Sequence, residues 1–238
     1  MFEETMAMTK LPGGALASRP LHFFWLVDCS GSMAGDKIQR LNFAIKEAVP
    51  EMQKVAAENP NARVLVRAIT FASGAQWHIS QPTPVNDFRW QDLRAHGVTD
   101  MGKALRMVAD ALSVEQMPPR GLPPVLVLIS DGHPTDDFNA GLKALMGQPW
   151  GKKAVRIAIA IGDDADHDVL QKFIGHPEIE PLHAHNPADL VNFIKWASTA
   201  VLKAASSPAT QTSAGIAAST NVPLPSAPES TADVEDVW

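Results

Sequence analysis

The chain has 238 residues, of which 45% are apolar and 19% charged, with a formal net charge of −6, the profile of one sizeable globular core plus tails. Glu229, Asp233, Glu235 and Asp236 hold four of those six charges beyond Ser206, where there is no Lys or Arg. The body is therefore near neutral and lacks the basic stripe that nucleic acid or anionic lipid requires.

Cys29 is the only cysteine, which excludes an internal disulfide and a thiolate zinc cluster and fits a reducing compartment. Glu3 and Glu4 stand where a secretory leader would be basic, and the apolar run Leu21–Val27 is far shorter than the ~20 residues of a membrane span. A cytoplasmic protein that does not enter a membrane is expected.

Taken in chain order, the first predicted element is a strand through Phe23-Phe24-Trp25-Leu26-Val27, apolar enough to be buried on both faces. It breaks into Asp28-Cys29-Ser30-Gly31-Ser32 and so delivers an acid and two hydroxyls to the edge of a sheet. Lys37 to Asn59 reads as a helix with Ile38, Leu41, Ile45, Ala48, Met52 and Val55 on one face. Asp36 is placed to cap it, and Pro50 predicts a kink or break near Val49. Arg63 to Phe71 reads as a second buried strand, and Ala75 to Ile79, after Gly74, as an antiparallel edge.

Ser80 to His96, with two early prolines and many polar residues, reads as an irregular connection over the surface. Met101, Leu105, Val108 and Leu112 then mark a helix with Asp100 as its N-cap, stopped at Pro118-Pro119. The most apolar strand, Pro124 to Ser130, ends in Asp131-Gly132-His133, and Asp136 and Asp137 are placed to cap a helix from Phe138 to Met146. A strand at 154–161, a helix at 166–174, a short strand near Leu182 and a helix at 187–203 follow. The alternation of buried strand and amphipathic helix predicts a Rossmann-like α/β fold, an open and mainly parallel sheet with helices on both faces. The expected organisation is an N-terminal extension over 1–19, the folded domain over 20–203, and an acidic Ser/Thr/Ala/Pro-rich tail over 204–238. That tail is too poor in aliphatic residues to offset its ordering entropy and is expected to be disordered. Its acidic end, closing on Trp238, reads as a candidate docking peptide.

In such sheets, ligands bind beyond the carboxyl ends of the strands. Asp28, Ser30, Ser32, Thr99 and Asp131 all fall in loops at that edge, and two carboxylates with three hydroxyls form a hard-oxygen set suited to Mg2+, with Mn2+ as the alternative. Two acids neutralise a divalent ion without saturating it, which leaves a position for an oxygen from elsewhere. His183 and His185 lie near a strand end, but without a third nitrogen or sulfur donor they do not make a zinc site. His133, one residue past the Asp131-Gly132 pair, reads as a surface histidine.

Asp28-x-Ser30-x-Ser32, Thr99 and Asp131-Gly132 resemble the metal-ion-dependent adhesion site of the von Willebrand factor A family, and the order of elements is similar across about Pro20 to Lys203. The resemblance implies an open, mainly parallel sheet with one antiparallel edge strand. It also implies that Ser30, Ser32 and Thr99 touch the metal, that Asp28 and Asp131 hold it directly or through water, and that an Asp or Glu of a protein partner completes the shell. More narrowly, Arg19–Asp28, Gly97–Gly102 and Ser130–Asp137 resemble the bacterial tellurite-resistance TerY-type branch. That resemblance implies a scaffolding role in stress or phosphosignalling beside a Ser/Thr kinase and a PP2C-type phosphatase.

The competing reading is a Mg-dependent nucleotide-binding or hydrolysing enzyme, because Gly97 to Lys103 has the spacing G-x-x-x-x-G-K. Ala104 stands where a Ser or Thr must hold Mg2+, however, and the preceding segment Gln91 to His96 is polar rather than a buried strand. Gly-x-Ser-x-Gly is absent, and Ser30 occupies the position of the second acid of an aspartyl phosphatase. With no assignable catalytic base, a binding module is expected rather than an enzyme.

Overall fold

Burial follows from where each strand stands in the sheet. In a computed structural model that describes residues 18–206 and 224–230, β1 (Arg19–Asp28) is buried at every position from Leu21 onward. It lies mid-sheet, parallel both to β2 (Ala62–Ala72) and to β4 (Val125–Ser130). β3 (Gly74–Pro84) forms an antiparallel edge on β2, and β5 (Val155–Ile161) and β6 (Leu182–Ala184) extend the parallel part beyond β4. The order is β3-β2-β1-β4-β5-β6, the mainly parallel sheet with one antiparallel edge strand that the sequence predicts.

The two-residue period of β1 divides the core. Phe23, Trp25 and Val27 face α1 (Asp36–Glu58) and α6 (Pro187–Trp196), whereas Phe24 and Leu26 face the layer of α2 (Met101–Ala111), α3 (Phe138–Gly147), α4 (Pro149–Lys153) and α5 (His167–Ile174).

Local expectations fail where tertiary packing outweighs them. α1 continues through Pro50: Pro50 is on the solvent side, while Ala48, Val49 and Met52 are buried beside it. That burial offsets the ~3 kcal/mol penalty of an interior proline. β3 runs on to Pro84, because Pro82 and Pro84 stand in an edge strand, where a missing N–H is tolerated. The following connection has neither helix nor strand, but Phe88 and Trp90 are buried in the core instead of lying over the surface. Asn42 of α1 fixes it in place: its Oδ1 accepts from Trp90 Nε1 (3.0 Å) and the Leu93 amide (2.9 Å), and its Nδ2 donates to the Leu93 carbonyl (3.0 Å).

The last helix is interrupted by a π-type turn at Ala197–Val201 before α7 (Leu202–Ser206). There the hydroxyls of Ser198 and Thr199 donate to the carbonyls of Ile194 and Lys195, the side-chain competition that distorts helices.

Two pieces of the predicted tail have structure. Residues 204–206 belong to α7. Residues 224–230 lie against α6, with Leu224 packed on the core, Trp196 Nε1 donating to the Ser226 carbonyl (3.1 Å) and Ser230 Oγ to Asp189 Oδ2 (2.6 Å). Composition expected no order here; a single aliphatic anchor and two hydrogen bonds accompany it. Most of the N-terminal extension (1–17), the linker 207–223 and the Trp238 end (231–238) fall outside the described residues. Among the described residues no helix is long and apolar enough to cross a membrane.

His22 of β1 is buried with Nδ1 unpartnered, and burial together with the Arg67 guanidinium lowers its pKa from 6.5 to about 4. Between those values the unfolded chain binds a proton that the folded chain refuses, so stability falls as pH drops from 6.5 toward 4, by about 3 kcal/mol at the lower end. Urea midpoints at pH 7 and pH 4.5 are expected to show a larger acid loss in the wild type than in His22→Leu.

Candidate metal centre

β1 is flanked by β2 on one side and β4 on the other, so the chain leaves it in one direction and later returns on the other. The crevice of an open α/β sheet forms at such a switch, beyond the carboxyl ends. Asp28 ends β1, and Asp131 follows the last residue of β4.

Three loops are joined there by hydrogen bonds. The amide of Gly31 donates to the Gly97 carbonyl (3.0 Å), that of His96 to Cys29 (2.7 Å) and that of Thr135 to Thr99 (2.9 Å), while the Thr99 amide donates to Thr135 Oγ1 (3.0 Å). Gly97 has φ +72°, and a Cβ there would lie 2.3 Å from Ser73 Oγ, so no other residue fits this crossing without displacement.

Asp28 is fully buried. Its Oδ1 accepts from the Ser30 amide (2.7 Å) and its Oδ2 from Ser130 Oγ (2.5 Å). Burial pushes its pKa up, the hydrogen bonds from Ser130 and Ser30 oppose that, and the nearby Asp131 charge adds to it. Ser32 Oγ donates to Asp131 Oδ1 (2.7 Å) and lies 2.9 Å from Ser30 Oγ. Since one hydroxyl carries one proton, Ser30 is the donor in the serine pair. Lys37 Nζ donates to Asp131 Oδ2 (2.7 Å). A Cβ built on Gly132 would lie 3.5 Å from Thr99 Oγ1 and 3.7 Å from Ser32 Oγ, which places both hydroxyls around the turn that follows Asp131. Asp28, Ser30, Ser32, Thr99 and Asp131 are thus brought to one place. Their atoms are hard oxygens, three of them neutral, the chemistry of a Mg2+ or Mn2+ site. Among the described residues no group of three or more His, Cys, Asp or Glu could hold a metal, so an ion at this edge depends on hydroxyls as much as on acids. Cys29 is buried, and burial with the Asp28 charge raises its thiol to about 12, so it is inert at neutral pH.

Other candidate residues serve different ends. Asp100 does not cap α2 with its side chain; its Oδ2 accepts from the Gly74 amide (2.7 Å) and Lys103 Nζ (2.5 Å). The cap comes from Asp136, whose two oxygens accept from the amides of Gly102 (2.7 Å) and Lys103 (2.8 Å). Only Asp137 caps α3, through the Ala140 amide (2.9 Å). Asp36 makes no capping bond either, being the first residue of α1 itself. These bonds also remove the donors of a phosphate cradle in the Gly97–Lys103 loop: two of its amides are committed to Asp136 and its ammonium to Asp100. His133 Nδ1 pairs with Asp166 Oδ2 (2.8 Å). His183 stacks between His167 (5.4 Å) and His185 (6.1 Å), and His185 pairs with Asp163.

Sequence reading missed Lys37, Ser130 and Thr135, and assigned Asp136 to the wrong helix, α3 instead of α2. Ser130 and Thr135 carried a weak sign, since both are polar and adjoin the Asp131 loop. Lys37 carried none, because a lysine in the first turn of a long helix reads as a solvated residue.

An open, mainly parallel sheet with hydroxyls and acids gathered at its switch point defines the class as an open-sheet α/β module. The model of the von Willebrand factor type A domain matches residues 24–195, well over half of the chain, and the chain belongs to that family. No curated protein matches it. Among solved structures it is similar to the ArnB paralog VWA2 from Sulfolobus acidocaldarius (16% identity, TM-score 0.56, covering 77% of this chain and 46% of that one). It is similar also to a von Willebrand factor type A protein from Catenulispora acidiphila (18%, 0.57, 79% and 43%). A third is proximal thread matrix protein 1 from the mussel byssus with a zinc-occupied MIDAS motif (15%, 0.57, 79% and 46%). The chain spans less than half the length of each, and at these identities the likeness is one of fold.

The loops of Thr99 and Asp131 are held together by a glycine crossing between α2 and α3. A Cβ on Gly102 would lie 2.4 Å from the Asp137 carbonyl oxygen, and one on Gly141 2.4 Å from that of Gly102. Gly102→Ala is expected to cost about 2 kcal/mol in urea unfolding, because backbone must move to admit the methyl. Gly147→Ala, with nothing within 4 Å of its Cβ, is expected to be near neutral in the same experiment.

Proposed function

We propose that this chain is a non-enzymatic protein-binding module. Mg2+, or Mn2+ in its place, is held by Ser30, Ser32 and Thr99 with Asp28 and Asp131 as anionic support, and an Asp or Glu of a protein partner completes the shell. The observation that carries this reading is the continuous array from Ser30 Oγ through Ser32 Oγ to Asp131 Oδ1, with Thr99 Oγ1 beside it. It offers neutral donors to a cation, and the hydrogen bond from Ser32 to Asp131 holds the two residues in one array. The zinc-occupied MIDAS motif of the mussel protein supports a divalent ion at this place in the fold. The TerY-like stretches favour a cytoplasmic stress or phosphosignalling role with a Ser/Thr kinase and a PP2C-type phosphatase as partners. The domain itself spans 20–203.

Mg2+ at a hundredfold excess over its dissociation constant is expected to raise the melting temperature of the wild type by roughly 5–10 °C. Asp28→Asn keeps an acceptor for the Ser30 amide and removes a buried charge, so the metal-free variant is expected to melt no lower than the wild type. It is also expected to lose the Mg2+ response and the partners captured from lysate. Retention of the same partners by Asp28→Asn, or by the wild type in chelator, refutes metal-dependent adhesion.

A further inference from the structure

Lys37 is the second residue of α1, and its ammonium sits on Asp131 Oδ2 at 2.7 Å. A cation in the first turn opposes the helix dipole, so the helix gains nothing from it there. The pair is also unlike an ordinary surface contact. The Asp131 side chain is 0% exposed and that of Lys37 19%, against 60% and 48% for the Asp92–Lys46 pair farther along the same helix. Solvent and salt screen the second pair far more than the first. The other ammonium near this edge, Lys103, is committed to Asp100.

We infer that Lys37 is a built-in competitor of the metal, one that lowers the affinity of the site for its divalent ion and raises the affinity of the bound ion for an incoming carboxylate. The inference rests on the metal-site reading above. Both oxygens of Asp131 already accept, Oδ1 from Ser32 and Oδ2 from Lys37. An ion that bonds this carboxylate directly must share or displace one of them. The two carboxylates and the ammonium sum to one negative charge, so a divalent ion leaves the loaded site one unit positive. Without Lys37 the loaded site would be neutral and would attract a partner's Asp or Glu far less. The lysine thus reserves part of the ion's field for the partner.

The test uses Mn2+ alone as the first probe, with free ion counted by electron paramagnetic resonance on the full chain. Lys37→Met and Lys37→Gln, two neutral variants of a partly exposed side chain, are expected to bind Mn2+ on the order of tenfold more tightly than the wild type, the effect of removing one unit charge beside a divalent ion. Lys37→Arg, which keeps the charge, is expected to match the wild type. Acetate added to the Mn2+-loaded proteins, followed by water-proton relaxation, is expected to bind several-fold more weakly in the two neutral variants. Wild-type Mn2+ binding with unchanged or weaker binding in both neutral variants overturns the inference and leaves the site reading standing. Tighter Mn2+ binding with unchanged acetate affinity overturns the trade between ion and partner. Absence of Mn2+ binding in the wild type and every variant overturns both readings.

Discussion

The site depends first on a fully buried carboxylate at the end of a mid-sheet strand. Left unpartnered, a buried carboxylate such as Asp28 would cost several kcal/mol. The fold provides two donors, the Ser30 amide from its own loop and the Ser130 hydroxyl from the neighbouring strand. The second bond also joins the ends of β1 and β4 across the crevice, so the interaction that stabilises the charge also sets the spacing between the loops carrying Ser32 and Asp131.

The remaining loop is aligned by contacts that are mostly backbone. Asp136 takes two amides of α2, Thr135 exchanges bonds with Thr99, and Gly102 and Gly141 let α2 and α3 meet without side chains between them. Backbone lacks the rotamer freedom of side chains, so Thr99 and Asp131 are held in register without ordering long groups. Arg156 shows the same economy elsewhere: buried between α4 and α5, it donates to the carbonyls of Gly151, Phe173 and Ile174, the negative ends of those helices.

The sheet and the five oxygen-bearing residues were legible because their signals are local. Apolar runs mark β1 and β4, and acids and hydroxyls follow them at once. What was not legible depends on the chain meeting itself. The side chain that caps α2 comes from the loop before α3, and Asp100, the nearer acid, is drawn off by Gly74 and Lys103. Phe88 and Trp90 looked like strays in a polar connection, because only the Asn42 bonds reveal that this connection is tucked against α1. Residues 224–230 have a composition that predicts no order, and Leu224 with the Trp196 and Ser230 bonds is a tertiary fact no local pattern encodes. Pro50 erred in the opposite direction: a local rule was right about the cost and silent about the packing that outweighs it.

The neutrality of the donors decides what the edge can do. Had Ser30 or Ser32 been acidic, a third carboxylate beside Asp28 and Asp131 would have raised the repulsion that already pushes Asp28 upward, and a bound divalent ion would have been saturated within the chain. Serine avoids both outcomes. It donates to Asp131 or to the other serine through a proton that can turn, and it offers lone pairs to a cation without cancelling its charge. With Lys37 held on the far oxygen of Asp131, the arrangement contains fewer negative charges than its carboxylates suggest. On the proposed reading, a divalent ion set among these groups is left with one positive charge in excess, and that excess is what a carboxylate from another molecule would answer.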